Sequence, residues 1–140
     1  MINHKMNTIQ AKIISIKRNK DIALIKLEVL DSNNIFSALI LDFNTKDTSF
    51  INNEIYNVVF KESEVMLCHK DYALISARNK FNSIVIKIEE DDIFARIYFK
   101  FEKYTITSLI TKEAKDSLNV KINEEFGWFV KSNEVMLSKL

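Results

Sequence analysis

The sequence predicts an all-β protein made of two small tandem modules, and three observations carry that prediction. The chain repeats itself, its apolar residues alternate with a period of two, and helix signals are confined to one short segment per copy. Glu64-Val65-Met66-Leu67 returns as Glu134-Val135-Met136-Leu137, Lys61 as Lys131, and Leu39-Ile40 as Leu109-Ile110, at an offset of 70 residues. Upstream, Ile25, Leu27 and Val29 match Ile97, Phe99 and Phe101 at an offset of 72. The first copy therefore carries two extra residues in the turn around Leu30-Asp31-Ser32-Asn33-Asn34. A repeat that fills a 140-residue chain predicts two modules of one fold, residues 1–71 and 72–140, with no separate catalytic domain.

The second copy shows its elements more clearly. Ile84, Ile86 and Ile88 alternate with Val85 and Lys87, and Ile93, Ala95, Ile97, Phe99 and Phe101 alternate with Phe94, Arg96, Tyr98 and Lys100. Both runs have the period of strands with one buried face. Glu89-Glu90-Asp91-Asp92 is the polar turn between them, and Thr105 to Ile110 reads as a third strand. Thr111 is placed as a helix N-cap, with Glu113 in the first turn, where the helix dipole favours negative charge. Phe126 to Lys131 and Glu134 to Leu137 are the last two strands. Five short strands with one small helix between the third and fourth is the plan of an OB-like β-barrel. The first copy follows it, with strands expected near 11–17, 22–30, 35–41, 54–61 and 64–68. Its helix segment, Asp42 to Phe50, is poor in helix formers and also reads as a turn or loop.

Composition narrows the function. With 47% hydrophobic and 28% charged residues the chain is a globular protein rather than a disordered one. Each copy is near the lower size limit for independent stability, so the two are expected to share a core or an oligomer interface. A net charge of +1 supplies no field for gathering nucleic acid or a membrane surface. Any anion site must therefore be local. The single cysteine, Cys68, allows no internal disulfide, and the start Met1-Ile2-Asn3-His4 lacks signal-peptide character; a cytoplasmic protein is expected. One glycine and no proline exclude glycine-rich phosphate loops. With one Cys and two His, no closed metal site is expected. No nucleophile–base pair can be assembled, so no enzymatic activity is expected.

Three segments of the second copy are dense in hydrogen-bond donors and free of carboxylates: Ser76-Ala77-Arg78-Asn79, Thr107-Ser108, and Lys131-Ser132-Asn133. A tetrahedral dianion needs such a set, because each oxygen accepts hydrogen bonds and a buried carboxylate would repel it. Arg supplies a fixed fork, Lys a point charge, and hydroxyls and backbone N–H groups fill the remaining directions. Arg78 and Lys131 also read as solvated surface cations, and Thr107 and Ser108 as ordinary strand residues. Trp128, Phe126, Phe129 and Phe101 read as core or interface aromatics, or as a base-stacking platform that the near-neutral charge disfavours.

The strings Ser76-Ala77-Arg78-Asn79, Ile106-Thr107-Ser108-Leu109-Ile110-Thr111-Lys112-Glu113-Ala114 and Val130-Lys131-Ser132-Asn133-Glu134-Val135-Met136-Leu137 resemble the molybdenum-pterin-binding (Mop/TOBE) domain. Two such domains in one short chain resemble a di-domain molbindin. The resemblance implies an OB-like barrel and cytoplasmic binding of molybdate or tungstate; despite the family's name these residues give pterin no support, and no organic cofactor is expected. It also implies a homo-oligomer, dimer or trimer, with sites at subunit interfaces. The positions it implies for the anion are Ser76, Ala77, Arg78, Asn79, Thr107, Ser108, Lys131 and Ser132. Relatives that regulate transcription or drive transport carry further domains, and this chain is expected to act as a stand-alone protein for storage, homeostasis or delivery. The alternative is a non-catalytic assembly module that partners a molybdate or tungstate transporter or regulator.

The first copy departs from the pattern. His4-Lys5-Met6-Asn7 stands where the second copy has Ser-Ala-Arg-Asn, Ser37-Ala38 replaces Thr-Ser, and Glu62 takes the place matching Ser132. A weaker site of Lys5, Asn7, Ser37 and Lys61 is expected there, because a carboxylate beside a dianion is unfavourable. The glycine common in the family four residues after the Asn is replaced by Ala11 and Ser83.

Overall fold

Among the described residues, ten strands and one helix make up most of the structure. The computed structural model describes residues 4–41 and 50–140, so most of the Asp42 to Phe50 segment lies outside the described residues. In the first half, β1 (Met6–Asn19), β2 (Ile22–Val29), β3 (Ile35–Ile40) and β4 (Ile55–Lys61) follow one another, and a short strand β5 (Met66–Cys68) comes next. The second half repeats this with β6 (Asn79–Glu90), β7 (Phe94–Phe101), β8 (Tyr104–Thr111), β9 (Glu125–Val130) and β10 (Met136–Lys139). Helix α1 (Lys112–Leu118) follows β8. Thr111 caps it as expected, accepting from the Ala114 N–H, and Asn119 closes it in the left-handed conformation (φ 58°, ψ 46°).

The strands form two five-stranded antiparallel sheets, β10-β4-β1-β2-β3 and β5-β9-β6-β7-β8. Each half thus donates its last short strand to the other half's sheet. The registers match through the repeat: Met136 faces Val59, and Met66 faces Phe129. The link explains the exchange. Glu62–Glu64 and Ser132–Glu134 are single 3-10 turns flanked by extended residues, which carry the chain onward instead of reversing it into a hairpin.

The first strands differ from the alternation expected of them. β6 begins at Asn79, earlier than the sequence pattern suggests, and a bulge lies between Val85 and Lys87; β1 has the same irregularity between Ile13 and Ser15. The bulge adds one residue to the strand and flips the alternation. Val85 is therefore fully buried, while Ile84 and Ile86 remain about two-fifths exposed. The bends let β6 pair with β9 at its start and β7 at its end, so the sheet curls.

The halves share one core. Ile9, Ile25, Phe36 and Phe60 belong to the same buried cluster as Val85, Ile97, Phe99 and Trp128. Trp128 is fully buried and stacks on Phe60 of the other half at 6.1 Å, with Phe36 at 6.4 Å and Phe101 edge-on at 5.3 Å. Its indole N–H donates to Ser83 Oγ at 3.0 Å. Gly127, the single glycine, lies where the donated β5 crosses β9. A Cβ there would meet the Cys68 carbonyl oxygen at 2.8 Å and its sulfur at 3.0 Å. Burial pushes the Cys68 thiol up, consistent with a small buried hydrophobe at a strand end.

Candidate oxyanion-binding site

The crossing of the halves creates two corners related by the repeat, each built from three chain segments. In each corner an asparagine at the start of one half's first strand grips the third strand of the other half. Asn79 is fully buried; its Oδ1 accepts from the Ser37 N–H at 2.7 Å and its Nδ2 donates to the Ser37 carbonyl at 2.9 Å. Asn7 does the same to Thr107, donating to its carbonyl and accepting from its N–H, both at 2.9 Å. An amide side chain satisfies both backbone groups of a strand residue in this way. These asparagines hold the corner together from behind.

In front of Asn79 lies an open cleft of about 510 Å³, lined by Ser37, Ser76, Arg78, Lys131, Ser132 and Asn133, with Lys26 and the apolar Leu24 and Leu39. Ser132 Oγ donates to Ser37 Oγ at 3.1 Å across the boundary between the halves. Arg78 Nε donates to the Ser76 carbonyl at 3.3 Å and Nη2 to the Ile75 carbonyl, which fixes the guanidinium against its own loop while leaving it exposed. Three cations and three hydroxyls meet here, and none of the lining residues is a carboxylate. That is the donor chemistry a small multivalent oxyanion takes.

The sequence-predicted residues divide between the corners. Ser76, Arg78, Lys131 and Ser132 line the cleft, while Ala77 and Asn79 are buried and do not. Ser37, expected in a first-copy site, joins the cleft instead. Lys26, on the first copy's second strand, is a cation that the sequence reading missed, because only strand pairing brings it here. Thr107 and Ser108 sit elsewhere. Thr107 belongs to the Asn7 corner, and Ser108 Oγ, fully buried, donates to the Val65 carbonyl at 2.6 Å.

The Asn7 corner has a smaller pocket of about 310 Å³, lined by His4, Lys5, Met6, Lys61, Glu62 and Ser63. One of these, Glu62, forms a buried ion pair with Arg96. Glu62, 1% exposed, accepts from the Lys5 backbone N–H at 2.8 Å and from Arg96 Nε and Nη2 at 2.8 and 3.0 Å. Arg96 also reaches Glu89 at 3.3 Å. Burial alone would raise the Glu62 carboxyl, but the Arg96 and Lys5 hydrogen bonds, the Arg96 charge and the Thr107 hydroxyl together hold it below the usual carboxylate range. Arg96 in turn is pushed upward, first by its hydrogen bonds to Glu62. In the alternation of β7 Arg96 falls on the face opposite Ala95 and Ile97, and the Glu62 turn meets it there, leaving it buried.

No protein-family profile and no curated protein sequence matches this chain. Its three-dimensional arrangement does find a counterpart. The crystal structure of ModG, a cytoplasmic molybdate-binding protein, with molybdate bound superposes with a TM-score of 0.86 over 96% of each chain, at 21% sequence identity. The chain has the ModG fold. The likeness to the Mop/TOBE domains read from the motifs thus extends to nearly the whole length of a ModG chain. At this identity, ModG speaks for the architecture, and the chemistry rests on the residues of this chain. Among the described residues, no helix is long and apolar enough to cross a membrane, and no group of three or more His, Cys, Asp or Glu gathers to hold a metal ion.

Proposed function

We propose that this chain binds molybdate or tungstate in the Arg78 cleft and serves storage, homeostasis or delivery of the anion in the cytoplasm. One observation carries the reading: Lys26, Arg78 and Lys131 meet Ser37, Ser76 and Ser132 in a cleft with no carboxylate lining it. The ModG fold, with the molybdate-bound form of that protein as its counterpart, supports the same ligand class. In this reading the curled sheets are OB-like barrels, the halves 1–71 and 72–140 are the duplicated units, and no catalysis is assigned. The cleft is open and its Arg78 and Lys131 are exposed, so a second copy of the chain is the natural cover, in a homo-oligomer whose interface completes the site.

The test is calorimetric titration with molybdate, tungstate and sulfate in phosphate-free buffer. Tight binding of the first two with weak sulfate is expected. Arg78→Ala and Lys131→Ala should each weaken binding by about 1.5–3 kcal/mol, the worth of a charge-assisted hydrogen bond. Parent-like affinity in both variants overturns the site.

A further inference from the structure

The Asn7 corner is the repeat's counterpart of the Arg78 cleft, with its charged groups differently placed: Met6 and Tyr98 stand where the cleft has Arg78 and Lys26. By the 72-residue offset, Lys5 and Asn7 match Ala77 and Asn79, and Arg96 matches Leu24; by the 70-residue offset, Thr107 matches Ser37, Lys61 matches Lys131 and Glu62 matches Ser132. Some contacts follow the same correspondence. Ser132 Oγ meets Ser37 Oγ in one corner; in the other, Glu62 accepts from the Lys5 backbone N–H and Arg96, while the Thr107 hydroxyl lies 3.4 Å from Asn7 Oδ1. Where the open cleft carries cations and no anion of its own, the Asn7 corner has a carboxylate, 1% exposed, that accepts from Arg96 and the Lys5 backbone N–H, and Lys5 and Lys61 line the pocket with it.

We propose that the Asn7 corner is a second oxyanion pocket whose ligand position is occupied by the chain's own Glu62 carboxylate, neutralised by Arg96. The donors on Glu62 are those an inorganic oxyanion would use: a backbone N–H and a guanidinium presenting two N–H groups. Internal occupation makes this corner permanently satisfied. The two halves are clamped there without any ligand, and only the Arg78 cleft remains for an external anion. Arg96 explains why the carboxylate stays: a lone buried carboxylate would be expelled or protonated, while one paired and hydrogen-bonded by three donors is held. The proposal deepens the oxyanion reading of the Arg78 cleft and rests on it for the ligand class.

Replacing Glu62 with the serine found at the matching position should empty the position and release the donors it now fills, the Lys5 N–H and Arg96 Nε and Nη2. The probe is molybdate, with sulfate alongside, titrated into the parent, Glu62→Ser, Arg78→Ala and the double variant. The parent is expected to take one anion per chain and Glu62→Ser two. The double variant should retain one after Arg78→Ala alone has lost its own. Molybdate should also raise the melting temperature of Glu62→Ser more than that of the parent. One anion per chain in both the parent and Glu62→Ser overturns the inference and leaves the Arg78 reading standing. No anion in the parent with one in Glu62→Ser does the reverse. A Glu62→Ser protein that folds neither in chloride nor in molybdate at equal ionic strength also overturns it, because an emptied anion pocket should be refilled by molybdate.

Discussion

Replacing Asn79 by alanine tests the idea that the halves are joined by amide clamps. The Asn79 side chain is fully buried and makes two short hydrogen bonds to the backbone of Ser37, which is itself 3% exposed. Alanine removes both partners at once, leaving a buried N–H and a buried C=O with no room to regain water. Each stranded group costs about 1–3 kcal/mol, so the variant should lose roughly 2–5 kcal/mol. For a domain of this size that is a fall in melting temperature of about 5–15 °C. Thermal and urea denaturation followed by circular dichroism would measure it. Asn82→Ala is the control: it lies on the same strand but is exposed, holding only the Lys80 ammonium at 2.6 Å, and should stay within about 0.5 kcal/mol of the parent. A loss of under about 0.5 kcal/mol in Asn79→Ala refutes the reasoning, since it would mean that Ser37's backbone finds other partners. Asn7→Ala should behave like Asn79→Ala, because its bonds to Thr107 have the same geometry.

Other outcomes follow from the same geometry. Gly127→Ala should destabilise by about 1–3 kcal/mol in urea titration, because its Cβ meets backbone of the donated strand at 2.8 Å and that strand must shift. Glu62 sets an acid dependence. Its folded pKa lies below the ordinary 4.5, so the folded protein binds fewer protons than the unfolded one; the resulting stability is complete above that pH and is lost as pH falls through the depressed folded value. Glu62→Gln should therefore be less stable than the parent at neutral pH, and the gap should narrow steadily in melting scans taken toward pH 3. A gap independent of pH would show that the ion pair with Arg96 is not the source. In the oxyanion cleft, Lys26→Ala should weaken molybdate binding in calorimetry, as Arg78→Ala does; unchanged affinity would remove Lys26 from the site.

Sequence by itself determined the local elements. Period-two alternation placed β7, the Thr111 cap placed the helix, and the 70-residue repeat announced two copies of one plan; the stretch Thr105 to Ile110 reads as the strand that is β8. It also marked Ser76, Arg78, Lys131 and Ser132, which line the cleft, alongside Ala77, Asn79, Thr107 and Ser108, which do not, because a donor-rich stretch without carboxylates is visible in the chain. These are signals carried within a few residues of each other. The bulges in β1 and β6 left no such signal, since Ile84, Val85 and Ile86 are all apolar and suit either face.

Only the tertiary structure decided which strands pair across the halves. Met66–Cys68 and Met136–Lys139 come from the same repeated motif, and main-chain hydrogen bonds do not read side chains. A closing strand kept at home and one exchanged are therefore equivalent on paper. The exchange brings Ser37 and Lys26 to Arg78, sends Thr107 to Asn7, and delivers Glu62 to Arg96, 34 residues away. The make-up of each corner is a consequence of that crossing. It follows from long-range packing around Trp128 and the turns at Glu62 and Ser132, which no window of neighbouring residues contains.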